Sequence, residues 1–395
     1  MFNISGTGCA LADFLYNGIS FEGEEFKKYR SKKRGDGGLS PGRLVFIEEL
    51  EKFTGKSYQS ILKEITGNRP PDAFNVGGPS LVSLIHASQM LDRQLFRVNF
   101  FGMQGIDETA GKIVDIIRET PLNIDSYLNN STKATPFTYV FSDSDFGDGQ
   151  GERTFVNNIG AAWEYYPEYL NRSFFDSHII CFGGTALVPR IHDNLTGLLA
   201  KAKKRDCITL VNTVYDFRNE KNNPGSPWPL VDMPDDYGLI DILIMDCEEA
   251  LKISGQNNIE NAAGYFASLK ASSFIITDGP NDIYAMSVGG LFEKTGLIKL
   301  PVSAKVVSEL KNNPELRGDT TGCGDNFTGG IIFSLASQLK KKKKGHLDLI
   351  EALSWGVASG GFTCFITGGT YIEKSQGEKL KRVSLLQNEY LKQLG

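Results

Sequence analysis

Gly318-Asp319-Thr320-Thr321-Gly322-Cys323-Gly324-Asp325-Asn326-Phe327-Thr328-Gly329-Gly330 is the stretch on which the reading of the fold turns. Gly322 and Gly324 stand just before Asp325, and Phe327, Ile331, Leu335 and Leu339 then recur at a spacing that puts them on one stripe of a helix. A glycine turn into a helix leaves backbone N–H groups without intrahelical partners, and the helix dipole adds positive potential at the same point. Such a place suits a phosphate. Asp325 is held beside it, able to take a proton from an attacking hydroxyl. Taken alone, the segment also reads as a plain turn with Asp325 as a first-turn or capping acid.

Working outward, short β-branched or aromatic runs mark strands at Phe2 to Ile4, Phe96 to Phe101, Phe137 to Phe141, Ile179 to Phe182, Ile208 to Val211, Ile242 to Met245 and Phe274 to Thr277. Helix-period patterns lie between several of them: Leu81, Leu84, Ile85, Ser88 and Leu91; Ala110, Ile113, Ile116 and Ile117; Ala262, Phe266 and Leu269. This alternation predicts α/β layering, with a helical C-terminal quarter whose second helix covers Leu349 to Phe365. Two segments break the pattern, 22–72, rich in Glu, Lys and Gly, and the polar turn material of 142–152. Both read as excursions from the central sheet. Lys340 to Lys344 is read as an exposed loop rather than a polyanion patch.

Composition excludes several function classes. The 395 residues carry 42 Lys and Arg against 47 Asp and Glu, a net charge of −5, too mild to argue for nucleic acid. Six dispersed cysteines (Cys9, Cys181, Cys207, Cys247, Cys323, Cys364) without a Cys-x-x-Cys pair, and only 4 histidines, show neither zinc spacing nor a disulfide framework. No apolar run approaches the ~18 residues of a membrane helix. The N-terminus has no basic lead-in and reads as a first strand. A soluble protein of the reducing cytoplasm, with no nucleic-acid or membrane partner, is expected. Thr54-Gly55-Lys56-Ser57 is no P-loop, because Leu50 stands where its first glycine belongs, and Gly6-x-Gly8 lacks the third glycine of a dinucleotide fingerprint.

Asp319-Thr320-Thr321-Gly322-Cys323-Gly324-Asp325 resembles the Asp-Thr-x-Gly-Ala-Gly-Asp signature of the ribokinase-like, or PfkB, carbohydrate kinases, with Cys323 where alanine is usual. Further matches follow in the family's order: Gly6-x-Gly8 with Asp13; Gly77-Gly78; Gly102-x-x-Gly105-x-Asp107 with Gly111; Gly151-Glu152-Arg153-Thr154-Phe155 with Gly160-Ala161-Ala162; Asp216-Phe217-Arg218; Asp246-x-x-Glu249-Ala250; and Thr277-Asp278-Gly279-Pro280. The resemblance spans roughly residues 2–370.

It implies a single ribokinase-like domain over 1–395, a three-layer α/β/α sandwich with a mainly parallel sheet and a small β lid from about 14–45 and 134–157. It implies ATP-dependent, Mg²⁺-requiring phosphorylation of a sugar hydroxyl, a primary one, with Asp325 as general base and the backbone of Gly322, Cys323 and Gly324 as anion hole. Thr277 and Gly279 match the nucleotide-contacting turn. Asp246 and Glu249 match the Asn-x-x-Glu element that helps hold Mg²⁺ and the ATP phosphates through water, Asp246 being an acidic departure. Asp13, Gly77 and Gly78 match the sugar contacts, although Val82 replaces the asparagine usual four residues after the second glycine. Asp319 and Thr321 match a monovalent-cation (K⁺) loop found in some members.

Some readings stay open. Arg218 can face an acidic substrate group or make a structural ion pair. Gly35-Asp36-Gly37-Gly38-Leu39-Ser40-Pro41-Gly42 can reshape the sugar pocket or be a surface turn. The lid can pair two copies into a homodimer. A nucleoside kinase of the same fold would need an aromatic or apolar slot for a base, and a non-catalytic sugar- or nucleotide-binding regulator is the rival from another class.

Overall fold

A computed structural model covers residues 1–395, of which all but Arg34, Gln150, Asp319, Lys343 and Lys344 are described, Asp148 and Gly149 by their backbone alone. The strands in chain order are β1 (Phe2–Thr7), β2 (Leu11–Asn17), β3 (Leu44–Phe46), β4 (Ala73–Gly77), β5 (Phe96–Gln104), β6 (Asn123–Asn129), β7 (Phe137–Asp143), β8 (Glu152–Asn158), β9 (Ile179–Gly183), β10 (Ile208–Asn212), β11 (Ile242–Asp246), β12 (Ser273–Thr277), β13 (Ile283–Ser287) and β14 (Ile298–Leu300). Nine of them form one sheet in the order β14-β13-β12-β11-β10-β9-β1-β5-β6. Its pairs are parallel from β6 through β12, and β13 and β14 add an antiparallel edge.

The long apolar runs suit this sheet because helices cover both of its faces. Along β9, Ile179 and Cys181 enter one core while Ile180 and Phe182 enter the other; along β11, Ile242 and Ile244 part in the same way from Leu243 and Met245. One face packs against the helices Pro79–Met90, Cys323–Lys341 and Leu349–Thr363, and the other against Leu195–Lys203 and Ile259–Ser268. The expected α/β/α sandwich is the observed architecture. No helix among the described residues is long and apolar enough to cross a membrane.

The second sheet has five strands in the order β3-β8-β7-β2-β4. Tyr16, Val45, Phe141 and Val156 point to one side of it, where Leu50, Tyr58, Ile61 and Ile65 of the helices Ile47–Thr54 and Tyr58–Thr66 complete a separate small core. This layer therefore takes in chain up to Gly77, beyond the 14–45 read from the sequence, because those two amphipathic helices close its outer face. Gly55 is the left-handed cap ending the first of them, φ 69°, so the Thr54–Ser57 run is a helix terminus. In the Gly35–Gly42 run the Asp36 carboxylate accepts the backbone N–H groups of Lys32 at 2.7 Å, Lys33 at 3.0 Å and Gly38 at 3.0 Å, so the segment folds on itself as a turn. Part of the lysine run departs from the expected loop: Lys340 and Lys341 end the long helix, where cations complement the dipole. Lys343 and Lys344 lie outside the described residues.

The Cys323–Lys341 helix is buried along most of its length, and Gly329 and Gly330 explain how it fits. A Cβ on Gly329 would sit 2.7 Å from the Ser83 carbonyl oxygen, and one on Gly330 would sit 2.4 Å from the Trp355 carbonyl oxygen. Both neighbours are backbone of packed helices and cannot swing away. In an exposed helix Gly→Ala stabilises by ~0.5–1 kcal/mol, but here overpacking reverses the sign. Gly330→Ala is expected to lower the unfolding free energy in urea by about 1–3 kcal/mol; an unchanged or raised midpoint would contradict the close helix approach.

Candidate functional site

In an open α/β sheet ligands bind beyond the carboxyl ends of the strands, where the chain order reverses. That point lies between β1 and β9, since β5 and β6 extend the sheet on one side and β9 to β12 on the other. The backbone is crowded there: a Cβ on Gly8 would lie 2.2 Å from the Gly183 carbonyl oxygen. Gly78, at φ 107°, begins the Pro79–Met90 helix, and a Cβ on it would lie 2.0 Å from the Cys9 carbonyl oxygen. Its glycine is thus required by the chain's own packing, whatever ligand approaches it.

The turn at Gly322 leads into the long helix beside this crevice. Gly322 is left-handed at φ 74° and caps the helix beginning at Cys323. The turn is pinned from behind by residues 364–370. The Gly318 N–H donates to the Cys364 carbonyl at 2.9 Å. The Asn326 amide donates to the carbonyls of Gly322 and Gly369, each at 2.8 Å. A Cβ on Gly324, by contrast, would meet nothing within 4 Å, so this face of the turn is open. The Cys323 N–H lies 3.3 Å from the Thr320 carbonyl, so one of the three expected anion donors is engaged within the turn.

Asp325 is the first-turn acid of this helix, and its main-chain oxygen accepts the Ser83 hydroxyl at 2.8 Å, which locks the turn to the neighbouring helix. Burial pushes its carboxyl up to about 7, because a charge there loses hydration. Asp246 and Glu249 stand at the end of β11 as a reciprocal cap on the helix Cys247–Ser254. The Asp246 Oδ1 accepts the Glu249 N–H at 2.8 Å, and the Glu249 Oε2 accepts the Asp246 N–H at 3.0 Å and the Thr213 hydroxyl at 2.6 Å. Glu249 is raised well above the carboxylate range, first by burial and then by the charge of Asp246, with Asp325 acting in the same direction. Asp246 is raised by burial and by Asp278. Thr277 pairs with Asp246 in register, and Gly279 follows at φ 53° with open space around it.

The small sheet borders the site. Asp13 lies opposite Asn75 on β4 and Thr138 on β7, and Thr138 lies opposite Asn157 on β8, so a polar row crosses four strands. The Asn157 amide donates to the Thr138 hydroxyl at 2.8 Å. A Cβ on Gly77 would fall 2.6 Å from the Asp13 Oδ2, and one on Gly368 would fall 2.4 Å from the Asn75 Nδ2. This face of the sheet therefore looks toward the chain that backs the Gly322 turn. Arg153, two residues before Phe155 on β8, donates from Nη1 to the Thr321 hydroxyl at 2.8 Å. At the rim the rings of Phe46 and Phe217 meet edge to face at 6.1 Å, and Lys221 pairs with Glu49.

Asp13, Gly77, Gly78, Thr321, Gly322, Cys323, Gly324 and Asp325 thus gather at one crevice, with Asp246, Glu249, Thr277 and Gly279 at the carboxyl ends of β11 and β12. Asp319 lies outside the described residues. Arg218 forks onto Asp193, with Nη1 to Oδ2 at 2.8 Å, which is the structural ion-pair reading. Arg153, Asn75, Asn157 and Thr213 are the site residues that sequence reasoning missed. Of these only Arg153 left a signal, as part of the Gly151-Glu152-Arg153 run.

No curated protein matches the chain. Among solved structures it resembles an adenosine kinase from Schistosoma mansoni in complex with 2-fluoroadenosine, at TM-score 0.69 and 16% identity over 93% of this chain and 96% of that one. It resembles an adenosine kinase from Sinorhizobium meliloti at TM-score 0.69 and 16% identity, over 97% and 99% of the two chains. A probable sugar kinase from Rhizobium etli CFN 42 aligns at TM-score 0.67 and 15% identity, over 98% and 99%. These likenesses establish the ribokinase-like fold. The model of the pfkB family carbohydrate kinases matches residues 76–375, from the end of the strand Ala73–Gly77 to beyond the Asp325 helix, and the chain belongs to that family.

Proposed function

We propose that this chain transfers the γ-phosphoryl group of ATP to a hydroxyl of a sugar, a primary one. The observation that carries the reading is Asp325, a carboxyl made basic by burial and fixed at the start of a helix whose first turn is open to an anion. Phosphoryl transfer needs in-line positioning and charge stabilisation more than covalent chemistry. Asp325 takes the hydroxyl proton, the first-turn backbone donors hold the oxygens of the transferring group, and Arg153 supplies a positive charge from the opposite wall. Asp13 and Asn75 orient the acceptor from the polar row. The small sheet acts as a lid, and its contacts through Arg153, Phe46 and Glu49 exclude water, which protects the nucleotide from hydrolysis.

The Asp246–Glu249 pair fits a Mg²⁺ ion held through water. Glu249 is buried, and the charge of the more exposed Asp246 raises its proton affinity, so the pair attracts a cation, while no group of three or more His, Cys, Asp or Glu among the described residues forms a closed metal cage. Mg²⁺ of this kind rests on one or two carboxylates plus phosphates, whose charge it neutralises.

A second reading of the acceptor has its own support. Beside the polar row runs an apolar one on the same face of the lid: Leu15, Val140, Phe155 and Leu44, each opposite the next, with Ala73 opposite Leu15. Side chains alternate faces along a strand, so this row points away from the core of Tyr16, Val45, Phe141 and Val156 and into the crevice. A planar base attached to the sugar would find an apolar slot there. The adenosine kinases of the same fold are in keeping with a nucleoside acceptor.

The test is ADP release from ATP and Mg²⁺ across hexoses, pentoses, sugar acids and nucleosides. Asp325→Asn is expected to cut turnover by ~10²-fold or more while leaving calorimetric ATP binding largely intact; near-normal turnover would remove Asp325 as the base. Since a base with its pKa near 7 is protonated and idle below that pH, kcat/KM should fall about tenfold per pH unit on the acid side of pH 7, with no such limb in Asp325→Asn. A wild-type profile flat to pH 5 would contradict it. Asp13→Ala should raise KM for every acceptor with little change for ATP, whereas Phe155→Ser should raise KM for nucleosides alone. Equal effects of Phe155→Ser on simple sugars and nucleosides would dismiss the base slot.

A further inference from the structure

The turn that starts the Cys323–Lys341 helix carries a thiol, and a second thiol lies against it. The Sγ atoms of Cys323 and Cys364 are 3.6 Å apart, although 41 residues separate them in the chain. Cys364 is the C-terminal cap residue of the helix Leu349–Thr363, and its carbonyl receives the Gly318 N–H, so it belongs to the backing that pins the turn. Both side chains are partly exposed, while Cys9, Cys181 and Cys207 are buried.

The surroundings favour thiolate at one member of the pair, Cys364. Cys323 is the first residue of its helix, so its side chain stands at the open helix N-terminus beside Cys364. Cys364 is held below the usual thiol range by its hydrogen bond with Cys323, and the charge of Arg317 acts in the same direction. Buried Cys9 and Cys181 are pushed the other way, each up to about 12.

We propose that Cys323 and Cys364 are an oxidisable dithiol which a low-molecular-weight disulfide closes into a protein disulfide, switching off the phosphate-binding turn. The Cys364 thiolate attacks one sulfur of the small disulfide, forming a mixed disulfide and expelling one small thiolate. The Cys323 thiolate then attacks the Cys364 sulfur and expels the second. The two protein thiols lose two electrons and two protons, and the small disulfide becomes two thiols. Closing the bond brings the sulfurs from 3.6 Å to ~2.05 Å. That shift draws the first helical residue toward Cys364 and away from the position that aims the donors of Gly324 and Asp325. The switching effect rests on the kinase reading; the cross-link does not.

The experiment treats the full chain with oxidised glutathione, digests it without reductant and looks by mass spectrometry for the peptide pair joined at Cys323 and Cys364. ADP release and calorimetric ATP binding are measured before oxidation, after it, and after dithiothreitol. The expected result is the joined pair with at least tenfold loss of ADP release, restored by dithiothreitol, and no such loss in Cys364→Ser, or in Cys364→Ala should the serine variant fold poorly. Two separate glutathione adducts without the joined pair would overturn the dithiol. The joined pair with unchanged activity would overturn the switch. Joined peptides from a chain whose reduced form releases no ADP with any acceptor would leave the dithiol standing and discard the kinase reading, the two failures being distinct.

Discussion

The site depends on how closely the Cys323–Lys341 helix is held by its neighbours. Gly329 and Gly330 let it lie against the carbonyl oxygens of Ser83 and Trp355, and the Asn326 amide ties its first turn to Gly369. A helix N-terminus binds an anion well only if its donors are fixed before the anion arrives, since catalysis by preorganised dipoles gains nothing from groups that must first be ordered. The same packing leaves Asp325 half-buried and poor in water, and that desolvation pushes its carboxyl up to about 7. Structure and reactivity at this position therefore have one cause.

A second constraint is electrostatic. At the carboxyl edge of the sheet Asp278 raises Asp246, and Asp246 and Asp325 raise Glu249, so the helix cap by itself accounts for only part of the arrangement. Capping fixes the orientation of Asp246 and Glu249 through reciprocal hydrogen bonds. Their mutual repulsion is relieved by a cation or a proton. On the opposite wall Arg153 brings the compensating positive charge, and its bond to Thr321 spans 168 residues of sequence. That contact sets unlike charges on two sides of one crevice.

The central sheet was legible because strands buried on both faces read as unbroken apolar runs, and Ile179 to Phe182 or Ile242 to Met245 could hardly be anything else. The long helix was legible from its stripe, and Asp325 from the glycines before it. The small sheet was harder. Along β2, Asp13 and Leu15 face the crevice while Phe14 and Tyr16 face a helix layer, so both sides are partly covered and clean alternation is lost. β14 is a three-residue edge strand with too little sequence to carry a pattern. Arg153 and Cys364 gained meaning only from tertiary contact, because nothing in their local sequence says which loop they meet. Asp246 and Glu249 were found by resemblance, whereas the capping box that positions them came from the backbone geometry.

The claim that Asp325 acts as a base in a single in-line transfer, and never as the atom that carries the phosphoryl group, is tested most directly by stereochemistry. ATP made chiral at the γ-phosphorus with oxygen isotopes would be turned over with an active acceptor, and the configuration of the product phosphate determined. The account predicts inversion, the mark of one direct displacement. Retention would mean two displacements through a phosphorylated enzyme group, and would contradict it.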